Sequence, residues 1–130
     1  MEGNNYVAST GFEYFDLFRK PFSRNIAKLV KQNSLYISDI TLLEVLGYHR
    51  LSKSDLGYFE DFISYCNQIS ISPGIIKKAI SLRQSKAMSL GDSLIASSAL
   101  AFKIPLVTLN IKDFKHISNL ELIEPVGYKF

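Results

Sequence analysis

Three acids, Glu44, Asp92 and Asp113, are the residues of this chain best placed to do chemistry. Asp92 falls in the first turn of a stretch with near-helical apolar spacing, Leu94, Ile95, Ser98, Ala99 and Phe102. Asp113 falls just beyond the short apolar run Leu106-Val107-Thr108. In a parallel sheet both positions reach the edge where strands end and helices begin. Glu44 lies within the otherwise apolar run Thr41 to Tyr48, where a carboxylate needs a reason. Carboxylates converging on one edge repel each other and hold a divalent cation. Each acid also has a plainer reading, because Thr41-x-x-Glu44, Ser89-x-x-Asp92 and Asn110-x-x-Asp113 all match a capping box. Singly, each match is more simply a cap than a ligand. A parallel sheet, however, gathers the first turns of its helices, so three caps there also make a negative cluster.

The elements that must position these acids alternate along the chain. Asn5 to Ser9 reads as a strand, Gly11 to Phe18 as a helix with Phe12, Phe15 and Phe18 inward, and Arg19 to Phe22 as a linker broken by Pro21. Ser23 caps a helix to about Asn33, apolar at Ile26, Leu29 and Val30 and basic at Arg24, Lys28 and Lys31. Ser34 to Ser38 alternates like a strand, Thr41 to Tyr48 is a mostly buried helix, and Ser52 or Ser54 caps a helix to about Cys66. Gln68 to Ile71 is a third strand. Ser72-Pro73 opens a helix with Ile75, Ile76, Ala79, Ile80 and Leu82 inward, Pro at the first position costing no hydrogen bond. The buried crossover helix from Leu90 ends at Lys103 to Pro105, the fourth strand follows, and Leu120 to Ile123 is a last short strand. This alternation predicts a parallel sheet covered by helices on both faces.

A chain of 130 residues, 47% hydrophobic, with 7 Gly and 4 Pro, is expected to form one domain, residues 1–130. The single Cys66 cannot close an internal disulfide, which fits a reducing compartment. No run of about 20 apolar residues exists, and MEGNNYVAST lacks the basic-then-apolar order of a signal peptide, so the expected location is the cytoplasm, away from membranes. A net charge of +3 permits binding to a polyanion and is weak support for it.

The segments ITLLEVLGY (Ile40 to Tyr48), SLGDSLIASSALAFKIPLVTLNIKDF (Ser89 to Phe114) and HISNLELIEP (His116 to Pro125) resemble PIN-domain proteins, specifically the VapC-type ribonuclease toxins of toxin–antitoxin pairs. The resemblance implies a three-layer α/β/α fold around a five-stranded parallel sheet of order 3-2-1-4-5. It implies a Mg²⁺ or Mn²⁺ site in which Glu44, Asp92 and Asp113 are metal-binding and catalytic, with Thr108, Asn110 and Lys112 positioning water or nucleic acid. The implied partners are an RNA substrate, a cognate antitoxin and a second copy in a homodimer. The departure is at the front: Ser9 stands where such proteins carry their first Asp, and Glu13 and Asp16 lie one and two helical turns further on. A hydroxyl is a poorer Mg²⁺ ligand than a carboxylate, so weakened cation binding and an impaired nuclease are expected.

Other readings attach to the same residues. Lys112, Lys115, Arg19 and Lys20 suit phosphate contacts, but solvated surface charge is the simpler reading of all four. His49 and His116 are expected to be spectators. Ser9 also favours a catalytically inactive module of the same fold that grips RNA or an antitoxin without cutting. A doubly wound phosphoacceptor needs paired acids after the first strand and a Lys ending the last central strand, whereas Ala8-Ser9 and Leu109-Asn110 stand there.

Overall fold

The computed structural model of the chain describes residues 5–9, 23–125, 128 and 130. The expected helix Gly11 to Phe18 and linker Arg19 to Phe22, with Glu13, Asp16, Arg19 and Lys20, lie outside the described residues. The strands are β1 (Tyr6–Ala8), β2 (Leu35–Ser38), β3 (Asn67–Ile69), β4 (Leu106–Val107) and β5 (Leu122–Ile123). They form one sheet in the order β3-β2-β1-β4-β5, as the resemblance implied. Every neighbouring pair is parallel. The helices are α1 (Ser23–Lys31), α2 (Asp39–Leu46), α3 (Lys53–Ser64), α4 (Pro73–Ser85) and α5 (Leu90–Phe102).

The central strands β2, β1 and β4 are mostly apolar because both faces of the sheet are covered there. Tyr6, Ala8, Leu35, Ile37 and Val107 pack with Leu29 of α1 and Phe59 and Ile63 of α3 on one face. Val7 and Leu106 point the other way, onto Ile75, Ala79 and Leu82 of α4 and Leu94, Ile95 and Ala99 of α5. The alternation of Tyr6, Val7 and Ala8 between two cores follows from the two-residue period of a strand.

The crossover helix α5 is buried as its sequence predicted, with Ile95, Ala96 and Ala99 all 0% exposed. Its serines tolerate burial because they satisfy themselves. The hydroxyls of Ser93, Ser97 and Ser98 donate to the carbonyls of Leu90, Ser93 and Leu94, each at 2.7 Å. The helix stops where Lys103 enters the left-handed region (φ 55°), its N–H reaching the Ala99 and Leu100 carbonyls.

Two faces differ from expectation. Ile76 and Ile80 were read as inward but are 45% and 53% exposed. The sheet-facing stripe of α4 is Ile75, Ala79 and Leu82, spaced by four and three residues, and the two isoleucines lie about 100° round from it. They line an apolar groove between α4 and α5 with Ile71, Leu90 and Leu94. Phe102 is likewise 49% exposed rather than inward, its ring tilted against Tyr36 at 6.2 Å. It is the last residue of α5, past the buried stretch that ends at Ala99.

Candidate active site

Strand β2 runs directly into α2, with Ser38 as both the last strand residue and the helix N-cap. Its hydroxyl accepts from the Ile40 N–H at 3.2 Å. This displaces the capping box read at Thr41-x-x-Glu44. Thr41 is the third helical residue, 2% exposed, and its Oγ1 has no partner among the described residues. Glu44 therefore lies beyond the first turn of α2, where capping does not explain it.

The other two matches divide. Ser89 does cap α5, accepting from the Asp92 N–H at 3.0 Å, and a side-chain hydrogen bond ties Asp92 back to Ser89. Asp92 is thus engaged with the residue that caps its own helix. Asn110 makes no side-chain cap, and Asp113 closes only a three-residue 3₁₀ turn, Ile111–Asp113. Capping thus accounts for Asp92 alone.

The three acids come together electrostatically. The Glu44 carboxyl is held above its usual range by burial and then by the charge of Asp92. Burial also raises Asp92, Ser89 opposes this through its hydrogen bond, and the charge of Asp113 raises it further. The residue Glu44 is exposed as a whole, but its carboxyl end lies against Gly91 in the first turn of α5. Asp92 is thus the middle member of an acidic row running from Glu44 to Asp113.

Ser9, 4% exposed, follows β1 at the same edge of the sheet. Its N–H donates to the Val107 carbonyl at 3.0 Å, in line with the pairing of Ala8 with Val107. Continuing the two registers places Ser38, Ser9 and Thr108 in a row across the strand ends. Thr108 is 1% exposed, and its hydroxyl accepts from the Asn110 N–H at 3.0 Å, so it shapes the turn that carries Asp113. Asn110, Lys112 and Lys115 are exposed on or beside that turn. His116, by contrast, has both ring nitrogens buried without partners among the described residues. His49 packs edge-on to Tyr48 at 5.2 Å. Burial pushes the Cys66 thiol up to about 12, leaving it an unreactive core residue. Sequence reasoning missed Ser38 as the cap of α2 and Gly91 as the neighbour of Glu44.

Among the described residues no three His, Cys, Asp or Glu side chains are close enough to ligate one ion together. The donor set nevertheless suits Mg²⁺ or Mn²⁺, which are hard cations. Mg²⁺ characteristically takes one or two carboxylates and keeps several waters. Glu44 and Asp92, the first raised in part by the charge of the second, are such a pair.

The raised carboxyls have a measurable consequence. The folded chain keeps protons that the unfolded chain loses as pH rises past about 4, the ordinary carboxylate range. Stability from these groups is therefore lost as pH climbs through the raised native values, and regained on acidification back through them. In EDTA, urea midpoints of Glu44→Gln are expected to fall less than those of the wild type between about pH 4 and 7. Identical slopes for the two proteins would show that Glu44 carries no strain.

A model of the PIN domain matches residues 12–120 of the chain. Ribonuclease VapC2 of Rickettsia felis is 33% identical over 127 residues, which span 90% of this chain and 95% of that protein. Among solved structures, VapBC2 from Rickettsia felis bound to a DNA fragment from its promoter superposes with a TM-score of 0.75 at 30% identity, covering 91% of this chain and 96% of the other. A toxin–antitoxin complex from Klebsiella pneumoniae gives a TM-score of 0.72 at 26% identity, covering 97% and 100%.

Proposed function

Because the chain belongs to the PIN-domain family, among its VapC-type ribonucleases, we propose that it is a metal-dependent endoribonuclease, the toxin of a toxin–antitoxin pair, with a weakened cation site. The observation that carries this reading is the coupling of Glu44, Asp92 and Asp113 at the strand-end edge, two of them without a capping role. Glu44 and Asp92 hold Mg²⁺ or Mn²⁺ in this proposal, and Asp113 acts through water or orients the nucleophile. When bound, such an ion lowers the pKa of water and offsets charge on the leaving oxygen. Thr108 fixes the turn that presents Asp113, and Lys112 and Lys115 meet the phosphate backbone. Ser9 supplies a hydroxyl where the family's first Asp is expected, which is the source of the weakening.

The similarity to toxin–antitoxin complexes supports a cognate antitoxin as partner, and the resemblance supports a homodimer. The groove at Ile76, Ile80 and Leu90 is an apolar surface of the kind that protein partners cover. Among the described residues no helix is long and apolar enough to cross a membrane, and we place the protein in the cytoplasm. We read residues 1–130 as one PIN-like domain.

The purified chain in Mn²⁺ is expected to cut structured RNA at internal sites. RNA that is bound but left intact in Mn²⁺ would favour the second reading, an inactive module of the same fold, for which Ser9 is the specific observation.

A further inference from the structure

α5 carries Gly91 in its first turn, immediately before Asp92. Gly91 has an ordinary helical conformation, so the backbone does not require it. The space around it does. A Cβ built there would fall well inside contact distance of Glu44 Oε1, with Cδ at 3.0 Å and Oε2 at 3.1 Å. The nearest obstacle is the Glu44 carboxylate, which arrives from α2 and rests where a side chain on α5 would be.

We propose that Gly91 is a positioning residue: its missing side chain lets the Glu44 carboxylate lie against the first turn of α5 beside Asp92. The inference rests on the proposed cation site, to which it adds the element that sets the spacing between two ligands. Groups behind the ligands of a metal site typically alter affinity by about 10–100-fold when changed. The flexible end of Glu44 can swing aside, so a methyl at position 91 is accommodated at little cost to folding. What is lost is the place the carboxylate occupied.

The test is a Mn²⁺ titration of the full chain followed by the electron paramagnetic resonance of free Mn²⁺, with thermal unfolding alongside. Gly91→Ala is expected to bind Mn²⁺ about tenfold more weakly while unfolding at the same or a higher temperature, since Ala favours a helix. Glu44→Asp, one methylene shorter, is expected to weaken binding in the wild-type background but to restore part of it in Gly91→Ala, because the shorter side chain clears the new methyl. A purely structural role does not produce that reversal of sign. Gly91→Ala binding Mn²⁺ as tightly as wild type, while Glu44→Gln weakens it, would overturn the role of Gly91 and leave the cation site standing. No weakening in Glu44→Gln would overturn both.

Discussion

Asp92→Asn is expected to lower RNA cleavage in Mn²⁺ by at least about 100-fold while leaving the fold intact. Even groups behind metal ligands cost 10–100-fold when removed, and a ligand should cost no less. Asp92 is the sensitive choice because its charge raises Glu44 and is itself raised by Asp113. Asn keeps the size and one acceptor oxygen, so the hydrogen bond with Ser89 has a substitute. Loss of a negative charge from the first turn of α5 costs about 0.3–1 kcal/mol of dipole interaction. Relief of repulsion from Glu44 and Asp113 works in the opposite direction, so the urea midpoint should barely move. Cleavage within a few-fold of wild type would remove the acidic row from the mechanism. An equal fall in cleavage and in the folded fraction would point to a capping role only.

Much of this arrangement was legible because strand and helix signals in the chain agree with each other. Ser72-Pro73 and Ser89 cap α4 and α5 where the pattern put them, and Ser52 rather than Ser54 caps α3. The failures share a cause: local patterns cannot say what a residue will face. Thr41-x-x-Glu44 has the letters of a capping box, but the turn between β2 and α2 has no spare residue, so Ser38 takes the cap and Glu44 is carried past the first turn. Asn110-x-x-Asp113 failed because the element there is a 3₁₀ turn with no side-chain cap. Ile76 and Ile80 continue the apolar periodicity of α4, yet the sheet is wide enough to cover only the stripe at Ile75, Ala79 and Leu82. The neighbourhood of Glu44 and Gly91, separated by about 50 positions, had no local signal, since it arises only when α2 packs on α5.

Ser9→Asp is expected to act in opposite directions on stability and function. The site is 4% exposed, beside the buried Thr108, at an edge that already carries Glu44, Asp92 and Asp113. A carboxylate there without a counter-charge should cost about 3–5 kcal/mol, the usual consequence of an uncompensated buried charge. In EDTA the variant should therefore unfold at lower urea than wild type. The introduced carboxyl has its pKa raised by burial and by its acidic neighbours, so acidification protonates it in the folded state and returns the lost stability. Mn²⁺ should return it at neutral pH, because an ion that binds only the folded form stabilises it by mass action. Cleavage should rise by at least about tenfold, matching the gain of a ligand. Cleavage seen only in this variant would identify the natural chain as the binding module, whereas a rise from measurable wild-type activity would identify a weakened nuclease. A variant that stays destabilised at saturating Mn²⁺ and cuts no faster would mean that position 9 faces no cation, and the account of the weakening would fail with it.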